Sequence, residues 1–291
     1  MGWIDSHVHL DALEYASDVS EVRAQARALG VSHCVIPSVD KNNFESVRRL
    51  AHLFGDFYAL GIHPMYTPHS KDEDLVLLER LIEQARGPQA DERLLAVGEI
   101  GLDGFIENLD FSKQQHFYTE QLKIAKRHDL PLILHVRKSA DALLKELRRL
   151  GSKGGIAHAF NGSLQQARAF IDLGFCLGFG GAVTFERANH LRSLLKALPK
   201  SAIVLETDGP DIPPHWLYVT AQERANGQPQ NRNDPSQVPR IASVVSDLMD
   251  VGLDELRAIT SENVSRVLRM PPFIESQSRK PSPQALKACR V

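Results

Sequence analysis

Six side chains able to hold metal ions each close a short apolar run. They are His7 and His9 after Trp3-Ile4-Asp5-Ser6, Glu99 after Leu94-Leu95-Ala96-Val97-Gly98, and His135 after Pro131-Leu132-Ile133-Leu134. His158 follows Gly155-Ile156-Ala157, and Asp208 follows Ile203-Val204-Leu205-Glu206-Thr207. On an extended strand alternate side chains share a face, so His7 and His9 should point the same way. With 12 His in the chain, that pair alone decides little. Alone, each residue also has an ordinary structural reading: a satisfied strand-end or core histidine for the four His, and a cap of the Gly209-Pro210 turn for Asp208. Glu99 fits such a reading less well, because a carboxylate ending an apolar strand is costly unless paired or metal-bound. Together, four imidazoles and two carboxylates suit two divalent metals of the zinc, manganese or cobalt type. A carboxylate can bridge two cations about 3.5–4 Å apart, and a water between them ionises near neutral pH. A further carboxylate nearby can move its proton.

The intervening elements must bring the six together. Helical spacing recurs over residues 19–29, 42–54, 72–86, 112–128, 140–150, 164–173, 189–198, 237–249 and 253–268, with Ser112 a candidate N-cap. Between these lie apolar runs, including His33-Cys34-Val35-Ile36-Pro37, Phe57-Tyr58-Ala59-Leu60 and the Gly-rich Phe175-Cys176-Leu177-Gly178-Phe179-Gly180. Some eight strand–helix units imply an α/β class, single-domain (β/α)8 TIM barrel over residues 1–270. In that fold the strand ends gather at one rim, where active sites sit. Residues 210–239, rich in Pro, Gln and Asn, read as a long functional loop after strand eight. The tail, 271–291, lacks periodicity and reads as disordered.

Composition sets the bounds. Hydrophobic residues make up 43% of the chain and charged residues 24%, as in a soluble globular protein. A net charge of -2 provides no global footprint for nucleic acid, so any such binding needs a local patch or metal ions. Three scattered cysteines without a C-x-x-C pair, no leader pattern and no membrane-length apolar run point to the cytoplasm.

The residues Asp5-Ser6-His7-Val8-His9-Leu10, Gly61-Ile62-His63-Pro64 and Val97-Gly98-Glu99-Ile100-Gly101-Leu102-Asp103 form one ordered set of motifs. Leu134-His135-Val136-Arg137, His158-Ala159-Phe160-Asn161-Gly162-Ser163 and Leu205-Glu206-Thr207-Asp208 complete it. In this order, over about residues 3–270, the chain resembles the TatD-type metal-dependent deoxyribonucleases of the amidohydrolase-like barrels. The resemblance implies that His7 and His9 bind one metal with Asp208. Glu99 would bridge, in the place of a modified lysine in related hydrolases, and His135 and His158 would bind the second metal. His63 would face the substrate phosphate, and Asp208 would double as acid and base. Asp103 and Arg137 would support ligands or contact substrate, or simply form a salt bridge. Three segments depart from the family pattern at the expected mouth: Ala159-Phe160-Asn161, Gly178-Phe179-Gly180-Gly181 and Arg232-Asn233-Asp234-Pro235.

The implied activity is phosphodiester hydrolysis in DNA, single-stranded or from a 3′ end, with two divalent ions (Zn, Mn, Co or Mg). Trp216 and Phe179 could stack bases or be packing residues. The alternatives are hydrolysis of a small ester, lactone, amide or phosphoester by the same site, and a non-catalytic binding barrel with structural metals. No protein partner is indicated.

Overall fold

The computed structural model describes residues 2–272. Eight strands lie in sequential order and pair in parallel: β1 (Trp3–Asp5), β2 (Val31–Pro37), β3 (Phe57–Leu60), β4 (Leu94–Asp103), β5 (Leu132–Arg137), β6 (Gly155–His158), β7 (Phe175–Phe179) and β8 (Ile203–Leu205). The seam between β8 and β1 is drawn together by Ser6 N–H donating to Leu205 O at 3.0 Å. The (β/α)8 barrel read from the sequence is therefore the fold. The tail expected to be disordered lies outside the described residues from 273 onward.

Helices follow the strands and ring the barrel: α1 (Val19–Ala28), α2 (Phe44–Phe54), α3 (Asp72–Ala85), α4 (Phe111–Arg127), α5 (Ala140–Leu150), α6 (Leu164–Asp172) and α7 (Asn189–Ala197). In α5 the buried face is Ala140, Leu143, Leu144 and Leu147, at the spacing of one helical stripe. The cap of α4 is Asp110, not Ser112: the Asp110 carboxylate accepts from the N–H groups of Ser112 and Lys113. The segment after β8 carries a short α8 (Ala221–Ala225) before α9 (Val238–Met249) and α10 (Leu253–Val267), so it is not wholly irregular.

Residues from all eight strands, among them Ile4, Val35, Phe57, Leu95, Ile133, Ile156, Cys176 and Val204, share one buried cluster. A cluster drawn from every strand is the barrel interior. Val264 and Val267 of α10, with Leu268 and Met270, join it and plug the end away from the strand tips. At that end a buried ion pair anchors α1: Arg23 forks onto both oxygens of Asp56 at 2.6 and 2.7 Å and donates to Val31 O and Ser32 O. Among the described residues no helix is long and apolar enough to cross a membrane.

Candidate metal centre

The six expected ligands do meet at one mouth, but several arrive by routes other than strand ends. β1 stops at Asp5, so His7 and His9 stand on the loop beyond it. Asp5 makes that loop rigid. Its buried carboxylate accepts from Thr207 N–H at 3.0 Å, Thr207 Oγ1 at 2.6 Å and His7 N–H at 3.3 Å, tying the tip of β1 to the segment after β8. Burial pushes the Asp5 carboxyl up to about 7 against those bonds. β4 does not end on Glu99 but continues to Asp103, and its register slips between Val97 and Ile100. The irregularity re-aims Glu99 into the barrel mouth. Gly98 makes room for it, since a Cβ there would lie 2.6 Å from Ile133 Cβ. His135 likewise sits inside β5, opposite Gly101, whereas His158 is the last residue of β6. Asp208 lies three residues past β8 in the left-handed region (φ 56), its N–H donating to His7 O.

Glu99 is the centre of the cluster. Its Oε2 is 3.1 Å from His7 Nε2 and 3.4 Å from His9 Nε2. Its Oε1 is 3.0 Å from His135 Nδ1, 3.3 Å from His63 Nε2 and 3.5 Å from His158 Nε2. Asp208 Oδ1 lies 3.5, 3.7 and 3.8 Å from His7, His9 and His158. The His7 and His158 rings stack at 3.7 Å. Donor atoms converge in three overlapping sets: His7–Glu99–His158, His7–His9–Asp208 and His63–Glu99–His135.

The hydrogen-bond pattern tests whether cations fit here. Both ring nitrogens of His135 face carboxylate oxygens, Nε2 at 3.0 Å from Asp103 Oδ2 and Nδ1 at 3.0 Å from Glu99 Oε1; a neutral ring that donates from Nε2 to Asp103, the tautomer we assign, presents a bare Nδ1 lone pair to the Glu99 oxygen. His7 and His9 face each other Nε2 to Nε2 at 3.2 Å beside the same carboxylate. Such contacts repel unless a proton or a cation lies between them. The charges agree. Burial pushes His9 and His158 down, but Glu99 carries His9 up to about 9, and Asp208, Glu206 and Glu99 carry His158 to about 10. Groups that attract protons this strongly bind cations in competition with them. Burial also raises Glu99, yet the surrounding His63, His7 and His158 hold it well below the usual carboxylate range. Asp208 goes the other way: burial lifts it to about 6 although His158 and His9 pull it down.

His63 differs from the others. Its Nδ1 accepts from Met65 N–H at 3.2 Å, so the proton of the neutral ring sits on Nε2, the atom facing Glu99. That ring is a donor into the cavity, despite its proximity to Glu99 and His135. Arg137 stands exposed at the wall, its guanidinium 4.0 Å from the Phe105 ring and 3.8 Å from Asp103. A cavity of about 1070 Å³ opens over His9, His63, Glu99, His135, His158 and Asp208, with Arg137 in its wall.

Across the whole barrel this architecture has known counterparts. Residues 4–269 match the family model described as TatD related DNase. The chain belongs to the TatD family. The Escherichia coli K12 protein named Uncharacterized metal-dependent hydrolase YjjV is 36% identical, covering 92% of this chain and 98% of its own. A Haemophilus influenzae protein, also named an uncharacterized metal-dependent hydrolase, is 33% identical, covering 92% and 99%. The crystal structure of the YjjV TatD homologue from E. coli superposes with a TM-score of 0.83 at 35% identity, over 92% of this chain and 98% of that one. This TatD-family chain is a metal-dependent hydrolase.

Three residues of the TatD site escaped the sequence reading of roles. Glu206, buried beside these donors, accepts from Ala159 N–H at 2.5 Å and Ser6 Oγ at 3.4 Å and lies 3.3 Å from His158 Nδ1. Gly178 leaves its place, since a Cβ would come within 2.1 Å of Glu206 Oε2. Asn233, fully buried, donates to Thr207 O, Asp211 O and Ile212 O and clamps the loop that carries Asp208. The third is Asp5. Asp5 and Glu206 carried a usable signal: acids inside apolar strands demand partners, as Glu99 does. Phe179 is packed inside, and Trp216 is half-buried, its indole N–H donating to Gln237.

Proposed function

We propose that this hydrolase is a deoxyribonuclease that cleaves phosphodiester bonds with two divalent cations, single strands and 3′ ends being its preferred DNA. The observation that supports this best is Glu99, whose two oxygens face separate sets of histidines. His7, His9 and Asp208 would hold one cation, His135 and His158 the other, and Glu99 both. Zn, Mn, Co and Mg all suit such nitrogen–oxygen donors to differing degrees. When bound, the cations supply Lewis-acid polarisation of the phosphoryl group and a water acidified to near neutrality. Asp208 takes a proton from the attacking water and returns it to the leaving oxygen. His63 donates from Nε2 to a phosphoryl oxygen, and Arg137 offsets its charge from the wall. Buried free Cys34 and Cys176 are in keeping with a reducing, cytoplasmic setting.

The test is nuclease activity of highly purified wild type against Glu99→Ala and Asp208→Asn, with activity restored metal by metal after chelation. A loss of at least a hundredfold is expected for each. Equal rates in all three proteins would remove the assigned roles. A second reading, hydrolysis of a small ester, lactone, amide or phosphoester, draws on the carboxylates Asp11, Glu14, Asp40 and Asp211 that line the mouth. A steep fall in affinity with salt supports DNA, and a flat profile supports the small substrate.

A further inference from the structure

The mouth of the barrel is not uniformly charged, and the strand order shows how its charges divide. In an eight-stranded barrel of sequential order, β1 and β5 lie on opposite sides. The loops after β8, β1 and β2 bring Asp211, Asp11, Glu14 and Asp40 to the cavity. None of these four has a Lys or Arg within salt-bridge distance among the described residues. The phenol of Tyr66, after β3, feels them all: burial raises it first, then Asp40, Asp11, Asp211 and Glu14. The loops after β4, β5 and β7, together with the later part of the segment after β8, are cationic and aromatic instead. At the end of β5, Arg137 and Lys138 lie 4.0 and 4.7 Å from the ring of Phe105, which follows β4. After β7, Arg187 lies 5.2 Å from the Phe185 ring and 5.9 Å from that of Tyr218. At the start of α9, Arg240 stacks on Trp216 at 4.0 Å. The His215 ring joins the two arginine–aromatic units, edge-on at 6.3 Å from Phe185 and 4.9 Å from Trp216, so they lie side by side along the loops after β7 and β8. Rings rather than carboxylates hold Arg187 and Arg240 in place, which leaves their charge available to a ligand.

We propose that Phe185, Arg187, Trp216, Tyr218 and Arg240 form a one-sided track for single-stranded nucleic acid, leading into the mouth toward Arg137. This inference rests on the phosphodiesterase reading and adds the path by which a strand arrives. A single strand exposes bases to rings and phosphates to arginines along one edge. A duplex hides its bases and presents phosphates on both sides, so it would meet the carboxylate half of the rim. The split also shows how a chain of net charge -2 can handle a polyanion: attraction is local, and the acidic half opposes any other approach.

The experiment compares wild type, Arg187→Ala/Arg240→Ala and the charge reversal Arg187→Glu, each first shown to melt like wild type. Two readouts are taken: fluorescence anisotropy of a labelled 20-nucleotide single strand and its duplex in chelator, and metal-loaded hydrolysis of that strand and of bis(p-nitrophenyl) phosphate. Tighter binding of the single strand than of the duplex is expected. The double variant should bind the strand about tenfold more weakly, with a log–log salt slope shallower by about 1.4, two phosphate contacts at about 0.7 each. Its kcat/KM on the strand, relative to the small diester, should fall about as much, through KM. Wild-type affinity retained in both variants, or a duplex bound as well as the single strand, overturns the track. If wild type hydrolyses neither substrate, the phosphodiesterase reading fails, and the anisotropy still decides whether the track exists.

Discussion

Asp103→Asn tests the metal centre without touching a proposed ligand. Asp103 Oδ1 accepts from the N–H groups of Phe105 and Ile106 at 2.8 and 3.0 Å, and Oδ2 accepts from His135 Nε2 at 3.0 Å. In the asparagine the amide oxygen keeps the two backbone bonds, so the NH2 group turns toward His135. Two donors then face each other, and His135 must shift its proton to Nδ1 and accept at Nε2. The proton now occupies the lone pair aimed at Glu99, where a cation would bind. Removing such a carboxylate behind a ligating histidine costs about 10- to 100-fold in metal affinity, or about 1.4–2.7 kcal/mol. The metal-free protein should lose less than about 1 kcal/mol, because the backbone bonds survive. Titration against a chromogenic chelator measures the affinity, and thermal melting with and without metal separates the two effects. Wild-type metal affinity in a properly folded Asp103→Asn protein would refute both the tautomer assigned to His135 and its place as a ligand through Nδ1.

Other predictions concern stability. Asp56→Ala leaves the Arg23 guanidinium buried without its partner and should cost about 3–5 kcal/mol, read as a drop in the urea midpoint. Gly178→Ala drives a methyl into the Glu206 carboxylate, so it should lower both the melting temperature and metal affinity by displacing the contact to His158. Burial, aided by Arg23, Arg27 and Arg93 and opposed by Asp56, pushes His33 down to about 4. The folded ring therefore stays neutral where an unfolded histidine, near 6.5, takes up a proton, so this part of the stability is complete above about pH 6.5 and lost as pH falls toward 4. Between pH 7 and 5 wild type should lose about 2 kcal/mol more than His33→Gln, and equal losses in urea titrations would contradict the assignment. Chelation should lower the melting temperature of metal-loaded protein and abolish hydrolysis, both recovering when metal is restored.

The barrel was legible because its pattern is redundant. Each apolar run is followed by a helical stripe such as that of α5, and eight repetitions leave little choice of topology. That these imidazoles and carboxylates would meet at one mouth was legible because each follows an apolar run, and a barrel gathers such run ends at one rim. Their local settings were not. The slip in β4 that turns Glu99 inward depends on pairing with β5 across some 35 residues, and nothing local to 94–103 announces it. The loop positions of His7 and Asp208 follow from Asp5 bonding to Thr207, a contact between residues about 200 apart in sequence. Asn233 belonged to a recognisable Arg-Asn-Asp-Pro element, yet its work of clamping the loop after β8 is visible only where its three carbonyl partners meet.

The seam between β8 and β1 makes the order of synthesis matter. His7 and His9 leave the ribosome first, but Asp208 is some 200 residues behind them, and the first and last staves of the barrel join through bonds between residues 5–9 and the segment 205–209. A nascent chain therefore carries scattered candidate donors without a complete centre until its final strand is inserted. A cation shared by His7, His9 and Asp208 would then act as a clasp, rewarding the closed ring and withholding chemistry from every unfinished one.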